Sequence, residues 1–343
     1  MYKFFHCLLC GILLMLNSCG NPYEIEVPKW DYGIEDDTQA PDDTDQEDGL
    51  IYPEATEKVQ TLQTQGDFSV ETISPGLTYY TFNGYDDVSQ TQQMVYVLEL
   101  DLNNTDYYVD FAYTAQGDSL SSVMNKRNGI AGINAAYEAE AVYLKVNGQL
   151  ISDVDLEPGH LRFWKHDGVI FGEGRKIGIV YGGSDRENSI NFYNEMKVKN
   201  IFASSPMLID NNEPVGETFV PSYYTLTDLS KFEAEDYRRH QGVRHPRTVF
   251  ALTDDNDLLL IVIDGRRPGK AEGMNAREVT KFIRKHFAPR WALNMDGGGS
   301  STMCIKGRGD SKTNVVNFPT DNGKEDHYGQ RRVGTHIVIK KNN

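Results

Sequence analysis

Apolar positions divide this chain into three parts. A short block, Leu8 to Leu16, is followed by a polar stretch to about residue 60. After that comes a body in which apolar runs of four to eight residues recur between turn residues. Leu77–Phe82, Gln93–Leu100 and Asp106–Tyr113 are rich in β-branched and aromatic side chains and predict strands. Ser121–Arg127 reads as a short helix stopped by Asn128-Gly129, and Ile130–Tyr137 as a buried strand running out into small residues. Asn147-Gly148 and Asp167-Gly168 each sit between apolar runs and predict two-residue hairpins. Further strands are expected at Ser189–Tyr193, Ile201–Ala203 and Met207–Ile209. The polar, aromatic stretch Tyr223–Gln241 reads as a loop or short helix over a cleft. Arg247–Thr253 and Asp257–Ile263 flank a turn at Asp254-Asp255-Asn256, whose side chains are ordinary turn formers. The clearest helix is Ala276–His286: Val279, Phe282 and Ile283 share one face, and Asn275 with Glu278 spells a capping box. Trp291–Leu293 and His336–Ile339 complete the strands. The pattern predicts an α+β fold of mixed, mostly antiparallel sheets with few helices, one of them between two strands that each end in Asp-Gly.

The first sixty residues read as address rather than fold. Lys3, the apolar block and Asn17-Ser18-Cys19 resemble a bacterial lipoprotein signal with Cys19 as the lipidated residue. This predicts an exported protein, lipid-anchored to the cell envelope. The expected organisation is a signal over residues 1–19, an acidic tether over 20–59, a β-rich N-terminal lobe over 60–120 and the main domain over 121–343. Thirteen acidic residues against two lysines between Asn21 and Lys58 account for most of the net charge of −16. That segment behaves as a self-repelling spacer rather than a binding face. No basic stripe exists for nucleic acid to use. Three of the four cysteines lie in the signal, which leaves Cys304 alone in the body without an internal disulfide partner.

The stretch of greatest chemical interest is Asn294-Met295-Asp296-Gly297-Gly298-Gly299-Ser300-Ser301. It follows an apolar strand and leads a carboxylate into three consecutive glycines and two hydroxyls. Such a turn can offer bare amides to an anion. A second strand, Leu260–Ile263, ends the same way in Asp264-Gly265-Arg266-Arg267. Two strand tips of this kind are what one shared cleft requires. A tight turn explains the glycines equally well, and what favours a site is the pair.

His245-Pro246-Arg247-Thr248, Asp264-Gly265-Arg266, Gly273-Met274 with Glu278, and the Gly-rich turn occur in the order and spacing of the phosphodiester glycosidase family, which this chain resembles from about Ser121 to Val338. Ile133-Asn134-Ala135-Ala136-Tyr137 resembles that family's Asn-Gly-Gly-aromatic element with alanine at both glycine positions. Ser205-Pro206-Met207-Leu208 and Val316-Asn317-Phe318-Pro319 resemble two further elements. The resemblance implies hydrolysis of the sugar C1–O bond of glycosyl-1-phosphodiesters in glycans, giving a free sugar end and a phosphomonoester. Such a reaction passes through an oxocarbenium-like transition state. Its phosphate leaving group needs charge stabilisation more than a proton, which suits arginine. Arg247 and Arg266, with the Gly297, Gly298 and Gly299 amides, Ser300, Ser301, Asn134 and Asn294, are the candidate ligands. Asp296, Asp264 and Glu278 are the candidate catalytic carboxylates. Each has a plainer role open to it. Glu278 can serve only the capping box, Asp264 can turn its strand, and Asp296 can pair with Arg247 or Arg266. Asn134 can satisfy loop amides, and His245 can be a structural histidine.

Two other functions remain open on sequence alone. One is a non-catalytic glycan-binding surface lipoprotein, suggested by Ala135 and Ala136. The other is a metal-dependent phosphodiesterase in which Asp264 and Asp296 hold a divalent cation. The glycosidase reading itself requires no cofactor or metal.

Overall fold

The computed structural model describes residues 68–154, 160–165, 167–182, 186–215, 220–221 and 223–342. The expected lipobox at Cys19 and the expected acidic tether lie outside the described residues.

The chain begins with β1 (Ser69–Ser74), β2 (Leu77–Asp86), β3 (Thr91–Asp101), β4 (Tyr107–Asp118) and α1 (Leu120–Arg127). β5 (Ala131–Asn134), β6 (Tyr143–Val146), β7 (Gln149–Asp153), β8 (Gly168–Glu173), β9 (Lys176–Tyr181) and α2 (Arg186–Glu195) follow. Next come β10 (Asn200–Ser204), β11 (Met207–Asp210), β12 (Glu213–Pro214), α3 (Leu226–Leu229) and α4 (Tyr237–Gly242). The last elements are β13 (Arg247–Leu252), β14 (Asp257–Ile263), α5 (Ala276–Phe287), β15 (Trp291–Asn294), β16 (Met303–Ile305) and β17 (Val333–Lys341). They form three sheets, ordered β1-β2-β3-β14-β13-β15-β11-β12, β7-β6-β10-β8-β9 and β16-β5-β17-β4, with antiparallel neighbours throughout. The α+β architecture expected from the hydrophobic pattern is the one observed.

The eight-stranded sheet is buried on both faces, which explains why β14 is apolar without alternation. Val97, Val249, Ile261 and Ile263 point to one side, under Val279, Phe282 and Ile283 of α5. Tyr96, Leu98, Phe250, Leu258 and Leu260 point to the other, into the main core with Phe111, Ile133, Phe171 and Phe202 of the two smaller sheets. Each large apolar side chain moved from water in this way contributes about 1.5–3 kcal/mol. Asn275 and Glu278 form the capping box reciprocally, and Ala288 in left-handed backbone ends α5.

No sheet boundary falls at residue 120, where the sequence pattern suggests one. β3 pairs with β14 along seven residues, and β4 pairs with β17. Residues 68–118 are therefore woven into the same sheets as the rest of the body. Two local expectations also give way. Ser189–Tyr193 belongs to helix α2, with Ile190, Tyr193 and Met196 turned toward the core at helical spacing while Phe192 is exposed. Asp167-Gly168 is not a hairpin turn. Its carboxylate accepts from the Met207 amide at 2.8 Å, its own amide donates to the Ser204 carbonyl at 2.9 Å, and the hairpin instead joins β8 to β9. Phe163–Lys165 is a single 3-10 turn rather than strand. Asn147-Gly148 does turn the β6–β7 hairpin, with φ of 51° and 79°.

Candidate active site

β14 and β15 both pair antiparallel with β13, one on each side, so they run in the same direction and end together beside Arg247 at the start of β13. The two Asp-Gly tips thus lie one strand apart. There their likeness ends.

Asp296 stands at the floor of a cleft of about 660 Å³, in which Gly297, Gly298, Gly299, Ser300, Arg266, Arg331, His240, His245, Lys165 and Glu138 take part. Its backbone is clamped on both sides. The Asp296 amide donates to the Ala135 carbonyl at 2.9 Å, and Asn134 Nδ2 donates to the Asp296 carbonyl at 2.6 Å. Burial pushes its carboxyl up to about 6, against the pull of a hydrogen bond from Ser300 and the charge of Lys165. A carboxyl held there is ionised at neutral pH and remains basic enough to act.

Asp264 does not face this cleft. It is 1 % exposed, and its oxygens receive Arg267 Nη2 at 2.6 Å, Asn317 Nδ2 at 3.0 Å, the Tyr96 hydroxyl at 3.3 Å and the Phe318 amide at 3.1 and 3.2 Å. With five contacts from four donor groups it has no lone pair left for substrate, or for a metal shared with Asp296. Burial raises it to about 6 in spite of Arg267. The expected pairing of two catalytic aspartates is replaced by one open carboxylate and one structural ion pair.

The two arginines separate in the same way. Arg247 is 1 % exposed, and its guanidinium donates to the carbonyls of Met274, His240 and Val243 at 2.7–3.0 Å. It braces the loop between α4 and β13 and does not reach a phosphate. Arg266 is exposed at the cleft and has no ion-pair partner among the described residues. Left-handed backbone at Arg266, φ 60°, separates it from Arg267, which turns inward to Asp264. Nearby charge from Arg331 and, first, its own partial burial lower Arg266 below the usual guanidinium range.

The glycines permit close approach. Gly298 has φ 63°, and a Cβ there would stand 2.9 Å from Arg266 Nη2. A Cβ on Gly299 would stand 2.5 Å from Arg331 Nη2. At Gly298 the left-handed backbone itself favours glycine, and at both positions the bare backbone lets a guanidinium lie against the turn. The Gly298 amide is spent on the Pro246 carbonyl at 2.8 Å, and those of Ser300 and Ser301 on the turn itself. The Gly297 and Gly299 amides are therefore the ones the turn leaves to a ligand.

Glu278 lies away from the cleft. Besides closing the capping box it takes Arg244 Nε at 3.0 Å and Nη2 at 2.6 Å. Asn134, Asn294 and Ser301 are buried structural groups. Asn294 bonds the Ser205 carbonyl at 2.9 Å, and the Ser301 hydroxyl accepts from Thr248 at 3.2 Å. Ser300, buried but lining the cleft, is the hydroxyl that serves Asp296. Ala135 is fully buried, whereas Ala136 lines the cleft.

The cleft also holds residues that the sequence did not single out. Lys165, 3 % exposed, lies 2.8 Å from both Glu138 Oε1 and Glu235 Oε2 and 4.7 Å over the Tyr137 ring. His240 packs against Trp164, Tyr137 and His245. Burial, with the charge of Arg247, holds His240 far below its ordinary range, and His245 falls to about 3 for the same reasons, so both rings are neutral. Arg331 pairs with Asp321 at 2.6 Å beside the Gly-rich turn. Glu138, immediately after Tyr137, was within reach of motif reading. Lys165, Glu235 and Arg331 carry no local signal. Among the described residues no three His, Cys, Asp or Glu side chains gather as a metal site.

Comparison with known proteins bears on the family and the fold. The profile of the phosphodiester glycosidase family matches residues 83–340. A comparison with curated protein sequences gives no match. Among solved structures, the zebrafish N-acetylglucosamine-1-phosphodiester alpha-N-acetylglucosaminidase catalytic domain, auto-inhibited by its pro-peptide, is similar with a TM-score of 0.54 and 17 % identity, over 81 % of this chain and 89 % of that one. A hypothetical protein from Synechocystis has a TM-score of 0.49 at 11 % identity, over 79 % of this chain and 63 % of that one. The likeness to the zebrafish domain speaks to the fold. The family match spans most of the chain, including every strand of the cleft, and on that ground this protein belongs to the phosphodiester glycosidase family of hydrolases.

Proposed function

We propose that this protein is an exported, lipid-anchored hydrolase that cleaves the sugar C1–O bond of glycosyl-1-phosphodiesters in glycans, releasing a free sugar end and a phosphomonoester. The observation that carries this reading is the meeting, at one Gly-rich turn, of a partly exposed carboxylate with a guanidinium that has no ion-pair partner among the described residues. Asp296 supplies the first, facing the cleft with its pKa near 6, and Arg266 the second. In the proposed complex the phosphate lies against Arg266, with Arg331 and the Gly297 and Gly299 amides beside it. These groups take up the charge that develops on the leaving oxygen. Asp296 then stabilises the positive charge developing at C1. The Cys19 lipobox supports export and anchoring, with a membrane partner reached through the lipid.

The test is product identity. The purified protein is incubated with methyl phosphodiesters of several sugars. Free sugar plus methyl phosphate is the expected outcome. Sugar-1-phosphate plus methanol would make it a phosphodiesterase, and binding without turnover a glycan-binding protein. For the anchor, metabolic labelling with palmitate should mark the wild type and not Cys19→Ala.

A further inference from the structure

We propose that Glu138 is the second carboxylate of the cleft, the base that takes a proton from the water attacking C1, and that Lys165 is the positioning residue that aims it. The assignment builds on the glycosidase reading above. Glu138 has one oxygen anchored and one open. Its Oε1 receives Lys165 Nζ at 2.8 Å and lies 2.9 Å from Arg162 Nη1, while no other described residue donates to Oε2. The side chain keeps 36 % of its surface exposed and lines the cleft. Two cations on one oxygen hold the carboxylate still and leave the other without a donor among the described residues, which keeps a lone pair free to accept a proton.

The loop that carries Glu138 is also fixed relative to Asp296. It leaves β5 through Asn134 and Ala135, the two residues that clamp the Asp296 carbonyl and amide at 2.6 and 2.9 Å. A shift of either carboxylate therefore strains the other's backbone. Lys165 adds the third constraint. It is buried against the Tyr137 ring and tied also to Glu235, and has no freedom to leave. Burial works to raise Glu138, and Lys165, by charge and hydrogen bond, overrides it and keeps the carboxyl below its ordinary range. The site thus pairs an ionised base with an aspartate whose affinity for protons is raised, a division of labour set by environment.

In the step proposed, the water oxygen bonds to C1 as its proton passes to Glu138 Oε2. The C1–O bond to phosphate breaks, and its electron pair leaves on the phosphomonoester. A purely structural alternative makes Lys165, Glu138 and Glu235 a latch joining three loops.

The experiment uses the purified protein and whichever methyl glycosyl-1-phosphodiester the wild type hydrolyses. Glu138→Ala should lower kcat by about 10²–10⁴-fold with little change in KM. Sodium azide, as a small external nucleophile, should restore turnover and yield glycosyl azide. Glu138→Gln, which keeps the shape, should fold as the wild type does by thermal melting and be equally slow. Lys165→Met should lower kcat with little change in KM, and Lys165→Arg should recover most of it. If the wild type hydrolyses no member of the panel, the glycosidase reading fails. If it does, but Glu138→Ala keeps more than a tenth of kcat, or loses it without azide rescue, the base assignment is wrong and the latch stands.

Discussion

The tips of β14 and β15 are written in almost the same letters and sit one strand apart, yet they do opposite work. At β14, Asp264 is enclosed by Arg267, Asn317, Tyr96 and the Phe318 amide. At β15, Asp296 has a cleft in front of it and hydrogen bonds chiefly through its backbone. Burial raises both carboxyls to about 6, so proton affinity does not distinguish them. What does is whether the lone pairs are already used. A carboxylate whose acceptor positions are filled by fixed donors is an anchor whatever its pKa. One with room before it can meet a reacting atom.

The largest effects expected from breaking this comparison are on the aspartates themselves. Asp264→Ala leaves the Arg267 guanidinium buried without its acid and should cost about 3–5 kcal/mol, read as a fall in denaturation midpoint. Asp296→Asn should not lower that midpoint, and should lower turnover by about 10²–10³-fold, the usual scale for a lost electrostatic stabiliser. Reversal of these two outcomes would exchange the roles assigned here.

The arginines form the next pair. Arg266→Ala should lower kcat/KM by about 10²-fold or more while stability moves within about 0.5 kcal/mol. Arg247→Ala strips donors from the carbonyls of Met274, His240 and Val243, and should destabilise by about 3 kcal/mol, since each buried carbonyl left unpaired costs about 1–3 kcal/mol. Glu278→Gln tests a smaller claim. It weakens the Arg244 pair and the α5 cap, so about 1 kcal/mol of stability should go with kcat unchanged. A drop in kcat at constant stability would return Glu278 to the catalytic set.

The pH dependence is the mildest test. Asp296 binds protons more tightly when folded, at about 6, than unfolded, at about 3.9. Between those values the folded state holds more protons, so this group's contribution to stability falls as pH rises. Asp296→Asn removes that slope. The variant should gain on the wild type from about pH 4 to 6 and keep a constant difference above that range, measured by denaturant titration. Over the same range, kcat/KM of the wild type should rise as Asp296 ionises.

Much of the fold was legible because its signals are local. Asn147-Gly148, the α5 capping box and the apolar run of β14 each state their structure within a few residues. Ser189–Tyr193 misled because five residues mixing aromatic and branched side chains fit a period of two as well as one of 3.6, and only burial of Ile190, Tyr193 and Met196 decides. Asp167-Gly168 misled because an aspartate before glycine can serve a distant amide, here Met207, as readily as a turn.

The candidate site was half legible for a related reason. The Gly-rich turn, Asp296 and Arg266 were visible because unusual backbone chemistry must be written in consecutive letters. Glu138, Lys165 and Arg331 come from three separate segments and Glu235 with His240 from a fourth, and nothing in any one segment announces the others. Arg266 and Arg267 are adjacent and identical, and a single left-handed residue sends one to the cleft and one to Asp264. By itself the sequence determined which backbone would turn tightly, which strands would be buried and which chemical groups were at hand. The tertiary structure alone decided which of those groups had already spent its hydrogen bonds on a neighbour, because that depends on packing between residues far apart in the chain.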